Sequence, residues 1–258
     1  VATPYGRAVY DSSLPCHAGQ EMYSRIRELA ELGVVLSGGS LHLIYAVAMN
    51  TGDDFALHNW SRWERKLKAL SPDLKKVMSV LQIKPDFASL KGATGKGNRE
   101  EAARHERFAA ALCLHESLTQ PHIDPAWQEP NGLTVKGISR GLLEKAQDQL
   151  NKCAGMASKM CGSAGWWQLE MLLAQIAQQA ELRAQPELLR LMMLKDDKQV
   201  MTVGRARALH AAGITTLEAL ALSEPDDIQR AMLAALPRNM RGVQTSFKAA
   251  GAGYAAKG

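Results

Sequence analysis

From Asn59 onward, apolar residues recur at helical spacing, and segment after segment closes on a glycine, a proline or a capping hydroxyl. Trp60, Trp63, Leu67 and Leu70 fall at i, i+3, i+7 and i+10, one stripe of a helix. Ser71-Pro72 supplies the N-cap and first-turn proline of the next helix. Residues 100–118 read as a long helix with Phe108, Leu112 and His115 on one face. Residues 138–160 read as another, about six turns long, broken by Gly162. A helix over 165–183 carries Trp166, Leu169, Leu172, Leu173 and Ile176, and shorter helices follow at 187–194, 204–212, 216–222 and 225–236. Aromatics make up only 5% of the 258 residues while Ala, Leu and Met abound, which disfavours a β-sandwich or barrel. The expected class is all-α, a helical bundle.

The first fifty residues are less uniform. After Pro15, a run through Met22, Ile26, Leu29, Ala30 and Leu32 predicts an amphipathic helix that Gly33 stops. Val34-Val35-Leu36 is a candidate strand, and a further helix is expected over 41–49. Small helices with one β-element fit a winged-helix remnant over 1–52. A helical domain then spans 53–184, a terminal helix-hairpin-helix domain 185–240, and an Ala/Gly-rich tail, expected to be disordered, 241–258. Residues 91–98, with three glycines, read as a loop. Residues 119–133, with Pro121, Pro125 and Pro130, read as an exposed excursion holding Trp127.

Several classes of chemistry are excluded. The longest apolar run, 41–49, is too short for a membrane span and contains His42. Cysteines at 16, 113, 153 and 161 form no dense disulfide framework and suit buried thiols in a reducing compartment. The chain begins with Val and shows no leader, so it reads as a piece of a longer protein. Gly92-Ala93-Thr94-Gly95-Lys96-Gly97 lacks the spacing and preceding strand of a phosphate loop, and no carboxylate pair follows an apolar strand. Cys113-x-His115 and Cys153-x7-Cys161 lack the close pairs of a structural zinc site. No G-x-S-x-G or His-Glu-x-x-His occurs. The chain reads as non-catalytic, with no cofactor or metal of its own.

Charge points toward phosphate. Between Trp60 and Arg107, 12 Lys and Arg stand against 6 Asp and Glu, so this stretch carries +6 and the remainder nets −1 of the total +5. With Trp60, Trp63, Phe87 and Phe108 interleaved, it is either a solvated face over core aromatics or a phosphate-tracking surface. Near the C-terminus, Val203 to Leu220 has the grammar of a helix-hairpin-helix: a helix from about Gly204, a stop at Gly213, and a restart after Thr215 or Thr216. Ala206, Leu209 and Leu217 would pack its helices together, with Arg205 and Arg207 adding charge at the phosphate-holding end. Met201-Thr202-Val203-Gly204 keeps only the second glycine of the usual Gly-apolar-Gly hairpin.

An ordered set of segments resembles the helicase-like region of DNA polymerase theta and related superfamily 2 repair helicases. Thr3-Pro4-Tyr5-Gly6-Arg7-Ala8 with Ser12-Ser13-Leu14-Pro15 is similar to the end of that family's winged-helix domain, and Leu41-His42-Leu43-Ile44-Tyr45 to the segment that follows. The stretch 60–81 and Arg104-His105-Glu106-Arg107-Phe108 resemble its helical domain, and Ser139-Arg140-Gly141-Leu142-Leu143 the start of its ratchet helix. Ala154-Gly155-Met156, Gly165-Trp166-Trp167-Gln168-Leu169-Glu170 and residues 205–214 continue the set. The resemblance implies an accessory region that grips single-stranded DNA while motor domains outside this chain, using ATP and Mg²⁺, move it 3′ to 5′. It further implies a nuclear protein of microhomology-mediated end joining. Arg140 sits where the family places a DNA-contacting arginine, with Lys136 just before it. Lys145, Lys152 and Lys159, seven residues apart, share one stripe and suit a backbone-tracking groove or a wet helix face. Gln147-Asp148-Gln149 offers no aromatic where archaeal relatives stack a base. The expected DNA-binding set is Lys136, Arg140, Lys145, Lys152, Lys159, Gly204, Arg205 and Arg207. A helical scaffold for repair proteins is the alternative. A DNA glycosylase is excluded, because no Val-Asp-Thr-His-like segment follows the hairpin.

Overall fold

The computed structural model describes residues 3–11, 15–48, 52–120, 123–194 and 201–234. They are helical, with no strand among them beyond a single antiparallel bridge, Leu57–Thr134. The all-α class holds. Two compact units divide the chain, residues 1–181 and 182–258.

The first unit contains α1 (Pro4–Asp11), α2 (Cys16–Leu32), α3 (Leu41–Val47), a 3₁₀ turn (Gly52–Phe55), α4 (Trp60–Ala69), α5 (Pro72–Val80), α6 (Pro85–Thr94), α7 (Arg99–Thr119), α8 (Pro125–Gln128), α9 (Arg140–Ala164) and most of α10 (Trp167–Leu182). Local chemistry sets the helix starts. Asn59, Ser71, Asn98, Asp124 and Ser139 each accept a backbone N–H of their own first turn. Helix α3 is apolar but for His42 and Tyr45 and buried along its whole length, against α2, α7 and α9. Helix α9 lies chiefly on α1 and places Leu150, Cys153, Ala154, Ala157 and Cys161 inward. Trp63, Trp127 and Phe108 are fully buried, each contributing roughly 1.5–3 kcal/mol by leaving water.

Four expectations are corrected here. Val34-Val35-Leu36 is not a strand: Val35 donates its N–H to His42 Nδ1 at 3.1 Å, so a side chain takes the bond a sheet neighbour would need. The glycine-rich 91–98 is not all loop, since α6 runs through Gly92 to Thr94 and Gly95, at φ 70°, ends it. A Cβ on Gly92 would come within 2.8 Å of Ser61 Oγ, so this glycine lets α4 and α6 approach rather than breaking a helix. Residues 123–133 are only partly an exposed excursion: Gln128, Glu129, Pro130 and Asn131 lie at the surface, but Pro125 opens α8, and Trp127 is buried with its indole N–H donated to Glu116 at 2.9 Å. Pro121 lies outside the described residues. Gly162 does not break α9, which continues to Ala164 before Gly165, at φ 79°, caps it. Glu170's carboxylate fills the space a side chain at Gly162 would take.

The second unit contains α11 (Pro186–Met192), α12 (Val203–Ala211), α13 (Leu217–Leu222) and α14 (Pro225–Ala234) around Leu188, Leu191, Met201, Ala206, Leu209 and Ile228. Gly213, at φ 86°, makes the turn and Thr216 caps α13 by accepting the Ala219 N–H. The expected packing through Leu217 fails, as that side chain is 38% exposed while α12 packs mainly on α11 and α14. The tail 241–258 and the end of the helix predicted over 225–236 lie outside the described residues.

Candidate nucleic-acid interface

Part of the long basic stretch is engaged within the fold. Arg62 pairs with Glu129, Lys68 with Glu64 and Lys76 with Asp73. Lys66 lies 2.8 Å from Glu116 and 2.7 Å from Asp124, with its ammonium 5.3 Å from the Trp127 ring centroid. Burial pulls the Asp124 carboxyl upward, but hydrogen bonds from Lys66 and the Ala126 N–H outweigh it and hold the group below its usual range. Lys91 sits 4.5 Å over Trp60. The four interleaved aromatics, Trp60, Trp63, Phe87 and Phe108, are all buried and pack edge-on against one another, with Phe87 stacked on His105, so none offers a face to a base. The aromatics of this stretch are therefore core, and Arg62, Lys66, Lys68 and Lys76 of its basic residues are held in ion pairs.

Helix α9 is different. Lys145, Lys152 and Lys159 are all exposed, on the side opposite the apolar face that packs inward. A spacing of seven keeps them within about 40° of one another around the axis, so they form a lysine ridge about four turns long, with the exposed Asp148 beside it between Lys145 and Lys152. Arg140 is not on that ridge. At about 100° per residue it lies about 140° around the helix from Lys145. Its side chain is 91% exposed and its Nε donates to Glu144 at 2.9 Å, the i+4 pairing of an ordinary helix surface. Arg140 occupies the first turn, where Ser139 accepts the Leu142 N–H. It borders a cavity shared with Ser117, Gln120, Ile138 and Gln147. Lys136 is exposed in the loop before the helix.

The two tryptophans after α9 separate in role. Trp166 is half-buried, its ring centroid 5.3 Å from that of Tyr23, whereas Trp167 is 62% exposed at the start of α10. The sequence alone does not tell them apart.

In the second unit, Gly204, Arg205 and Arg207 all lie on α12. Gly204 falls inside the helix's first turn rather than in a hairpin, and a Cβ there would meet nothing within 4 Å. Thr202 caps the helix and accepts the Arg205 N–H, taking one of the backbone donors a phosphate would use. Arg207 is half-buried, and burial lowers its pKa.

The glycine-rich 92–97 does not suit a nucleotide phosphate. It surrounds the C-terminal end of α6, where carbonyl oxygens and the negative end of the helix dipole face outward. Among the described residues no three His, Cys, Asp or Glu side chains are grouped to hold a metal, and no helix is long and apolar enough to cross a membrane. Cys113, Cys153 and Cys161 are buried, and burial raises each thiol, that of Cys161 to about 12; Cys16 is exposed.

Residues 26–179, more than half of the chain, match the family described as "DNA_pol_Q helicase like region helical domain". The chain belongs to this family. The matched span takes in α3 to α9 entire, with the lysine ridge and Arg140 inside it. Relatives include DNA polymerase theta of Drosophila melanogaster, 27% identical over 90% of this chain and 11% of that protein. The mouse (Mus musculus) DNA polymerase theta is 25% identical over 91% of this chain and 9% of its own length, and that of Caenorhabditis elegans 25% over 91% and 14%. The chain thus spans about a tenth of the length of the relatives it matches.

Proposed function

We propose that this chain is the single-stranded-DNA-gripping part of a polymerase-theta-type helicase, acting in double-strand-break repair by microhomology-mediated end joining in the nucleus. The observation that carries the reading is the ridge of Lys145, Lys152 and Lys159 on the solvent face of α9, inside the family-matched span. Ammonium groups about 10 Å apart along the axis meet spaced phosphates of a strand laid along the helix, and release of their counterions drives binding without reading sequence. Arg140 adds a planar, bidentate donor at the end of the helix whose backbone N–H groups already favour an anion. Trp167 is the exposed aromatic nearest in sequence to the ridge on which a base can stack. Residues 1–52 serve as the end of a winged-helix domain, and α12, with Gly204, Arg205 and Arg207, as a second contact to the strand. ATP and Mg²⁺ act on motor domains outside this chain, which itself hydrolyses no nucleotide.

A fluorescent single-stranded oligonucleotide titrated into the protein tests the role of Arg140. Arg140→Ala weakens binding by about 1–3 kcal/mol, the range for a charge-assisted hydrogen bond. Its melting temperature stays unchanged, because an exposed i,i+4 pair contributes only a few tenths of a kcal/mol. Parental binding by Arg140→Ala alongside weakened binding by Lys152→Ala removes Arg140 from the interface. The exposed pair Trp167 and Met171, one turn apart, favours a second reading, a helical scaffold that docks other repair proteins.

A further inference from the structure

Three arginines line one cavity of the first unit. Arg25 comes from α2, and Arg104 and Arg107, three residues apart and so on one face, come from α7. The cavity holds about 400 Å³, within the range of small-molecule sites, and is closed by α3 and the end of α5.

The cluster is only partly neutralised, with Glu28 and Glu100 on the same cavity. Among the described residues, its one ion pair is Arg25 to Glu21 at 4.0 Å. Arg104 Nε is buried without a hydrogen-bond partner. Arg107 lies 5.8 Å from the Tyr45 ring centroid. Arg25 is held in place by the carbonyls of Ala48 at 3.1 Å and Glu21 at 3.3 Å. Burial, and then the neighbouring Arg107, lower the Arg25 pKa, a sign that like charges are crowded there. Packing three guanidiniums together in this way is unfavourable until an anion joins them.

We infer that Arg25, Arg104 and Arg107 form a binding site for a nucleotide phosphate, with the nucleoside lying on the apolar wall of the same cavity. Arg104 and Arg107 each present a fork of N–H donors, together more than a carboxylate's two oxygens can meet, while Arg25, its own donors taken by Ala48 and Glu21, adds charge. Glu28 and Glu100 also border the cavity, so the three arginines leave only a small positive excess there, enough for one phosphoryl group and not for an extended polyanion. Leu29, Ala46 and Leu81, with the buried Tyr45, supply a surface for a planar body. The phosphate belongs either to a free nucleotide or to the 5′ end of a strand.

Calorimetric titration of the full chain with adenosine monophosphate tests this. One molecule binds per chain, and adenosine, lacking the phosphate, binds about tenfold more weakly or worse. Arg104→Gln and Arg107→Gln each weaken the nucleotide about tenfold, as does Arg107→Lys, which keeps the charge but loses the fork. Lys75→Ala, on an exposed face of α5, leaves the affinity unchanged. Competition by an oligonucleotide with a 5′-phosphate, but not by its 5′-hydroxyl twin, identifies a strand end as the source. Failure of both to compete, with the nucleotide still bound, identifies a free nucleotide. Equal binding of nucleotide and nucleoside, or full affinity in an Arg104→Gln/Arg107→Gln protein that melts like the parent, overturns the proposal.

Discussion

Replacing Lys66 by alanine lowers the stability of the first unit by about 3 kcal/mol or more, the scale for removing one partner of a buried ion pair. Lys66 is 12% exposed and Glu116 9%, and the two stand 2.8 Å apart. The other Glu116 oxygen accepts the Trp127 indole N–H at 2.9 Å, and Asp124, also bound to Lys66, caps α8. One ammonium thus ties α4 to α7 and to the turn that buries Trp127. Without it, a carboxylate is left inside with no counter-charge, and the indole it holds loses its anchor. Chemical denaturation measures the loss as a lower midpoint. Adding Glu116→Gln to Lys66→Ala recovers part of it, because the stranded charge is gone. A Lys66→Ala protein within about 0.5 kcal/mol of the parent, the range of ordinary surface substitutions, contradicts this account of the core.

Acid weakens the same unit well above the range in which carboxylates titrate. His105 is fully buried, its Nδ1 accepting the Trp63 indole N–H at 3.1 Å, which places its own proton on Nε2. Burial, reinforced by Arg104 and Lys91, lowers its pKa to about 4, and burial lowers that of His115 to about 4 as well. Both values lie below those of the unfolded chain, so the unfolded state takes up protons first. The stabilisation is complete above about pH 6.5 and is lost as pH falls toward 4. Between pH 7 and pH 5 the two histidines together cost about 2–4 kcal/mol of unfolding free energy. His105→Asn, which keeps an acceptor for Trp63, removes about half of that slope. A stability flat between pH 7 and pH 5 means that neither ring is held neutral by the fold.

What the sequence made legible was local. Ser71 and Thr216 cap helices because a short polar side chain reaches its own first turn whatever the rest of the fold does. The seven-residue spacing of the lysines needs only the helix that carries it. What stayed hidden depends on distant partners. Gly92 and Gly162 look like breakers until Ser61 and Glu170 are seen in the space a side chain would fill. Trp127, among prolines, looks exposed until Glu116, on another helix, takes its N–H. Val34 to Leu36 has the composition of a strand but no second strand to pair with, and His42 satisfies its backbone instead. The arginine cavity left one clue, Arg104 and Arg107 on one helical face; Arg25 joins them only through the packing of α2 near α7.

The claim that α9 grips a strand through its lysine ridge rests most directly on the salt dependence of binding. The measurement is the slope of log affinity against log salt for a single-stranded oligonucleotide, with the parent and with Lys145, Lys152 and Lys159 all changed to Gln. Each phosphate that no longer meets an ammonium reduces the slope by about 0.7 for a single strand, so the three substitutions together reduce it by about 2. The predicted result is that flatter slope, with weaker binding at low salt and an unchanged melting temperature. An equal slope and equal affinity in the two proteins would show that the strand, if it binds at all, does not lie on α9.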